Sequence, residues 1–160
     1  MQYASAREFF EAVSEASRDA ERCRVQLESM EHRALSVSSP SLEAHVRGGD
    51  HDHVGRKVAA LVDRERELQS RIDADYDLID AACAVLYGSD GMSDGLASIV
   101  PAWWADAVYH RYLGLRSWVE VGRMLDYSDS HVRRAVSAAF DVMDANGMLS
   151  TVAGQGGAQG

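Results

Sequence analysis

Apolar residues recur along the first part of the chain in alternating steps of four and three: Phe9, Val13, Ala16, Ala20, Cys23, Leu27 and Met30. That is the seam of a helix that packs against one long helical partner, and it is narrower than the stripe of an ordinary surface helix. Ser5-Ala6-Arg7-Glu8 fits the capping box that opens such a helix, and neither Gly nor Pro follows before Pro40. Residues 36–53 break the pattern with Ser, Pro, a Gly pair and mixed charge, and read as a flexible loop. The seven-residue frame returns at Val54, Val58, Leu61, Leu68, Ile72, Ile79 and Leu86, with Glu65 and Asp75 as polar interruptions. Two such stretches joined by a loop predict an antiparallel helical hairpin over residues 1–87.

Residues 88–95 contain Gly88, Gly91 and Gly95 and read as a hinge. A compact segment over residues 96–149 carries all three Trp, and residues 150–160 read as a disordered Gly- and Gln-rich tail. The expected fold is therefore all-α: a long, coiled-coil-like antiparallel hairpin followed by a small three-helix domain.

Within that domain, Pro101 opens a helix placing Trp104, Ala107, Val108 and Tyr112 on one face, and Gly114 ends it. Ser117-Trp118-Val119-Glu120 is a second capping box, and Trp118, Val121, Gly122 and Leu125 form the apolar side of the short helix behind it. Asp126-Tyr127 reads as a tight turn, Ser128 as the cap of a third helix, and Tyr127 with Val132 as a hydrophobic staple. Helical spacing turns Val132, Val136, Ala139 and Phe140 inward. Ser130, Arg134 and Ser137 face the opposite way, with His131 and Arg133 on the flanks, and Asn146-Gly147 supplies the stop.

A short helix, a tight turn and a second helix with Ser, His and Arg on its outer face form the layout of a helix-turn-helix that enters the DNA major groove. The candidate DNA-binding residues are Ser128, Ser130, His131, Arg133, Arg134 and Ser137. Arg can pair with guanine, Ser can reach phosphate or a base edge, and helix N-terminal N–H groups bind phosphate.

The stretch HRYLGLRSWVEVGRMLDYSDSHVRRAVSAAF, carrying Arg111-Tyr112, Ser117-Trp118, Glu120, Leu125, Ser128, Ser130 and Val132, resembles the region-four helix-turn-helix of bacterial sigma factors. More narrowly it is similar to the small sigma-like regulators of phages and prophages, in which a long helical hairpin precedes such a motif. The resemblance implies transcriptional regulation of phage or prophage genes, with double-stranded DNA as one partner and RNA polymerase as a second. Two positions depart from that pattern. Gly122 stands where the family usually has Ala, expected to be harmless to packing while weakening the helix by up to about 1 kcal/mol, and Asp126 replaces the turn Gly.

Charge adjusts this picture. The chain has 16 Lys plus Arg against 25 Asp plus Glu, a net charge of −9, which argues against a general polyanion binder. The reading segment itself is nearly balanced, with Arg111, Arg116, Arg123, Arg133 and Arg134 against Asp106, Glu120, Asp126, Asp129, Asp141 and Asp144. Nothing resembles a phosphate loop or a nucleophile with its base, so no catalytic residue, cofactor or metal is expected. His45, Asp50, His51, Asp52 and His53 sit in the loop without a frame to fix metal geometry. Cys23 and Cys83 have no metal-binding spacing and lie too far apart along the hairpin for a disulfide.

No apolar run reaches the length of a membrane span, and the N-terminus lacks a signal-peptide core, so a cytoplasmic location is expected. Two other readings keep the same parts. One is a small-terminase-like DNA-packaging protein whose helices build a homo-oligomer, and the other is a helical interaction module without DNA contact.

Overall fold

The computed structural model describes residues 3–37, 51–90, 94–150 and 152, and among these the regular elements are all helical. Helix α1 (Ala6–Val37) and helix α2 (His51–Tyr87) form the hairpin. A 3₁₀ turn (Leu96–Ser98) leads to α3 (Ala102–Val108), which runs on into a π turn (Tyr109–Leu113), and α4 (Trp118–Leu125) and α5 (Asp129–Ala145) follow. Ser5 caps α1 as expected, its Oγ accepting from the Glu8 N–H at 3.2 Å, while the Glu8 carboxylate reaches one residue past the cap and accepts from the Ala4 N–H at 2.7 Å. No helix among the described residues is long and apolar enough to cross a membrane.

The chain divides into two compact units, Asp19–Ala74 and Met1–Arg18 with Asp75–Gly160. In the first, the seam closes as its spacing predicts. Cys23, Leu68 and Ile72 are buried together, with Leu27 and Met30 packed against them. An Arg71–Asp19 ion pair and a bond from Arg64 to the Gln26 side chain at 3.3 Å bridge the two helices alongside. The N-terminal part of the α2 seam departs from expectation, since Val54, Val58 and Leu61 remain 45%, 54% and 50% exposed. Among the described side chains of α1 past Met30, Glu31, His32, Arg33 and Leu35 are all exposed as well.

The second unit takes the open end of the hairpin into the core of the helix-turn-helix. Phe9, Phe10, Val13 and Leu86 are buried in one cluster with Leu96, Val108, Val121, Val132, Val136 and Met143. Phe10 stacks on Phe140 with centroids 5.7 Å apart and meets the edge of Tyr112 at 6.0 Å. The Ala6 N–H, one of the orphan donors of the first turn of α1, donates to the Asp144 carboxylate at 2.7 Å. Tyr87, at the end of α2, donates to the Asp106 carboxylate of α3 at 2.7 Å.

These contacts correct the expectation of a loose hinge at residues 88–95 separating a hairpin of residues 1–87 from a reader of residues 96–149. The two ends of that segment lie backbone against backbone: a Cβ on Gly95 would come within 2.4 Å of the Gly88 nitrogen. Glycine is what permits this approach. The residues between, 91–93, lie outside the described residues, as do 38–50 of the expected loop, with His45 and Asp50, and nearly all of the tail. Among the described residues no three His, Cys, Asp or Glu side chains converge as metal ligands.

Candidate nucleic-acid interface

The helices from α3 to α5 are positioned by a series of local devices. At the end of α3 the helix widens. The Gly114 N–H reaches back to the Tyr109 carbonyl at 2.9 Å and the Arg116 N–H to the His110 carbonyl at 3.0 Å, while Leu115 takes positive φ (58°). A π turn adds one residue to the helical round and so re-aims the chain beyond it. Here it carries Arg111 across to the next helix, where the guanidinium lies 4.7 Å from the Trp118 ring centroid and donates to the Arg116 carbonyl at 3.0 Å.

Helix α4 begins at its predicted cap, with Ser117 Oγ accepting from the Glu120 N–H at 3.2 Å. It ends at Asp126, whose φ of 61° and ψ of 40° place it in the left-handed region. Asp tolerates this conformation better than most residues. The turn closes through the Tyr127 N–H, which donates to the Gly122 carbonyl at 2.9 Å. A Cβ at Gly122 would stand 2.6 Å from the Tyr127 carbonyl oxygen. The glycine is what lets this turn fold back so tightly, and an alanine side chain would press on that carbonyl.

Ser128 caps α5, its hydroxyl accepting from the His131 N–H at 3.2 Å. At the other end the Gly147 N–H reaches the Asp144 carbonyl at 3.2 Å and the Met148 N–H reaches the Met143 carbonyl at 3.1 Å, with Gly147 at φ 59°. This is a complete Schellman stop at the expected Asn146-Gly147. Between the caps, Val132, Ala135, Val136, Ala139, Phe140 and Met143 are buried.

All six candidate residues, Ser128, Ser130, His131, Arg133, Arg134 and Ser137, are exposed. At about 100° per residue, Ser130, Arg134 and Ser137 form the outermost stripe, with His131 and Arg133 on opposite edges. Arg134 lies along the helix, its Nε 3.4 Å from the Ser130 carbonyl, and no carboxylate among the described residues pairs with it. Arg133 is committed sideways: it sits 3.8 Å from Asp129 and 5.7 Å from the Trp118 ring. Exposed pairs such as Arg133–Asp129, or Arg116–Glu120 at 3.7 Å, contribute about 0–1 kcal/mol and leave both guanidiniums free to exchange partners.

Two features go beyond the sequence reading. Trp118 and Trp104 are half-buried and packed against the core as expected, but Trp118 also carries Arg111 and Arg133 over its ring, forming a basic edge beside α5. Trp103, equally half-buried, packs away from that core cluster. Its ring lies flat on Tyr127, with centroids 4.2 Å apart, and on His131 at 5.4 Å. Tyr127, expected to staple Val132, thus joins an aromatic stack and stays 40% exposed. A signal existed: adjacent residues on a helix point about 100° apart, so Trp103 and Trp104 could not both face the core.

No family model matches the chain, and no curated protein or solved structure matches it.

Proposed function

We propose that this chain is a DNA-reading regulator of transcription of the sigma region-four-like kind, with α5 lying in the major groove and α4 crossing the backbone. The observation that carries the reading is the outer stripe of α5. Arg134 sits at its centre without a carboxylate partner among the described residues, Ser130 and Ser137 lie a turn to either side, and a capped N-terminus sits at one end. Arg134 would pair with a base edge. The Arg111–Trp118–Arg133 edge would engage phosphates and set the register. The role is positioning, and no bond is made or broken. Because the reading segment has no surplus of positive charge, RNA polymerase is proposed as the partner that supplements its affinity.

The test is selection of bound sequences from a random duplex library at low salt, with and without RNA polymerase. Enrichment of a common site supports the reading, and absence of duplex retention in both arms sinks it. One observation favours a second reading, in which the hairpin builds a small-terminase-like oligomer: the heptad-spaced Val54, Val58 and Leu61 left half exposed on α2. A ring-sized mass by light scattering at micromolar concentration would support that reading.

A further inference from the structure

Large aromatic side chains gain most from full burial, and Trp104 and Trp118 both pack on the core. Trp103 gives its ring face to two residues of the turn and the first round of α5: Tyr127, nearly parallel at 22°, and His131, at 28°. Tyr127 and His131 also meet directly, their centroids 5.1 Å apart. The His131 imidazole is thereby held by two neighbouring rings. Stacking takes up the faces of an imidazole and leaves its nitrogens free, because they lie in the ring plane at its edge. Among the described residues no group bonds to either ring nitrogen, although the His131 backbone N–H is already satisfied by Ser128.

From this arrangement we infer that His131 is a specificity-determining residue, a pre-oriented donor to a purine acceptor in the major groove, and that Trp103 and Tyr127 are the positioning residues that fix it. The inference rests on the DNA-reading function proposed above. An imidazole carries an N–H donor in either tautomer, and purines present N7, with O6 on guanine, to the major groove. His131 lies one residue from Ser130 and three from Arg134, in the first round of α5, the part of a recognition helix that reaches base edges. A free histidine on a helix surface loses rotamer freedom when it binds. The stack removes that freedom beforehand, so the contact discriminates between bases with little ordering left to oppose it.

The decisive measurement uses the full chain, a selected duplex, and duplexes altered one base pair at a time, read by fluorescence anisotropy. His131→Ala is expected to flatten preference at a single base pair, by roughly 5- to 100-fold, and to leave affinity for unrelated duplex unchanged. Trp103→Ala, which removes no DNA contact, is expected to flatten the same position, and Trp103→Phe to restore it. Should Trp103→Ala fail to fold by circular dichroism, Tyr127→Leu at a 40% exposed position breaks the stack from its other side and carries the test. Equal loss on every duplex, or no loss, overturns the inference while the DNA reading stands. Absence of any duplex binding by the unaltered chain overturns both.

Discussion

Phe10 and Phe140 stack at 5.7 Å and 26° although one belongs to the first turns of α1 and the other to the middle of α5. The helix that would read DNA is thus backed by a residue near the start of the chain. Phe10 is fully buried, so Phe10→Ala removes both transfer energy and packing and should destabilise by about 3–5 kcal/mol. The loss should appear in the helix-turn-helix itself. Denaturant unfolding followed by the emission of the three Trp, all of which lie in that part, checks it, and an unchanged midpoint would show that the open end of the hairpin is dispensable.

The same core predicts that a fragment of residues 96–160 does not fold alone, because Ala6, Phe9, Phe10, Val13, Ala82 and Leu86 are missing from its cluster. Circular dichroism of the fragment should show little cooperative melting. A sharp transition would restore the hairpin and the reader as independent domains.

Gly122→Ala isolates the turn. Helix propensity alone favours alanine by about 1 kcal/mol, but the new Cβ would meet the Tyr127 carbonyl at 2.6 Å and must displace backbone. The steric term should win, giving a lower melting temperature. A rise would mean that the turn opens without cost.

How far such features can be read from residues alone depends on their range. Ser5, Ser117 and Ser128 are legible as caps, Asn146-Gly147 as a stop and Val132, Val136, Ala139 and Phe140 as the inner face, because each is decided within a turn or two of helix. The exposed stripe of α5 comes from the same periodicity. The division of the chain does not, because a Gly-rich stretch says that a bend is permitted and not whether the elements it joins share a core. Gly122 escapes a sequence reading for a similar reason, since its constraint comes from a carbonyl five residues ahead. Residue type alone puts Trp103 in the core, whereas its partners are set by the path of the turn between α4 and α5.

Alkaline stability should depend on Tyr87. Burial and the hydrogen bond to Asp106 hold its phenol protonated well above the usual tyrosine range, and burial also raises Tyr112. A group that keeps its proton in the fold and releases it when unfolded contributes stability that is complete below about pH 10 and falls as pH rises beyond it. Tyr87→Phe should therefore reduce the drop in urea midpoint between about pH 8 and about pH 11. An equal drop in both proteins would assign the alkaline loss to other groups.

The bond from the Ala6 N–H to Asp144 spans 138 positions of sequence. A contact of that span forms only after a long loop closes, so this unit should fold late and slowly compared with its individual helices. During synthesis α1 is made first, yet Phe9 and Phe10 must wait for α5 before they are covered. The nascent chain therefore carries an exposed aromatic pair until α5 is complete, and a product truncated before residue 140 lacks the ring on which Phe10 stacks.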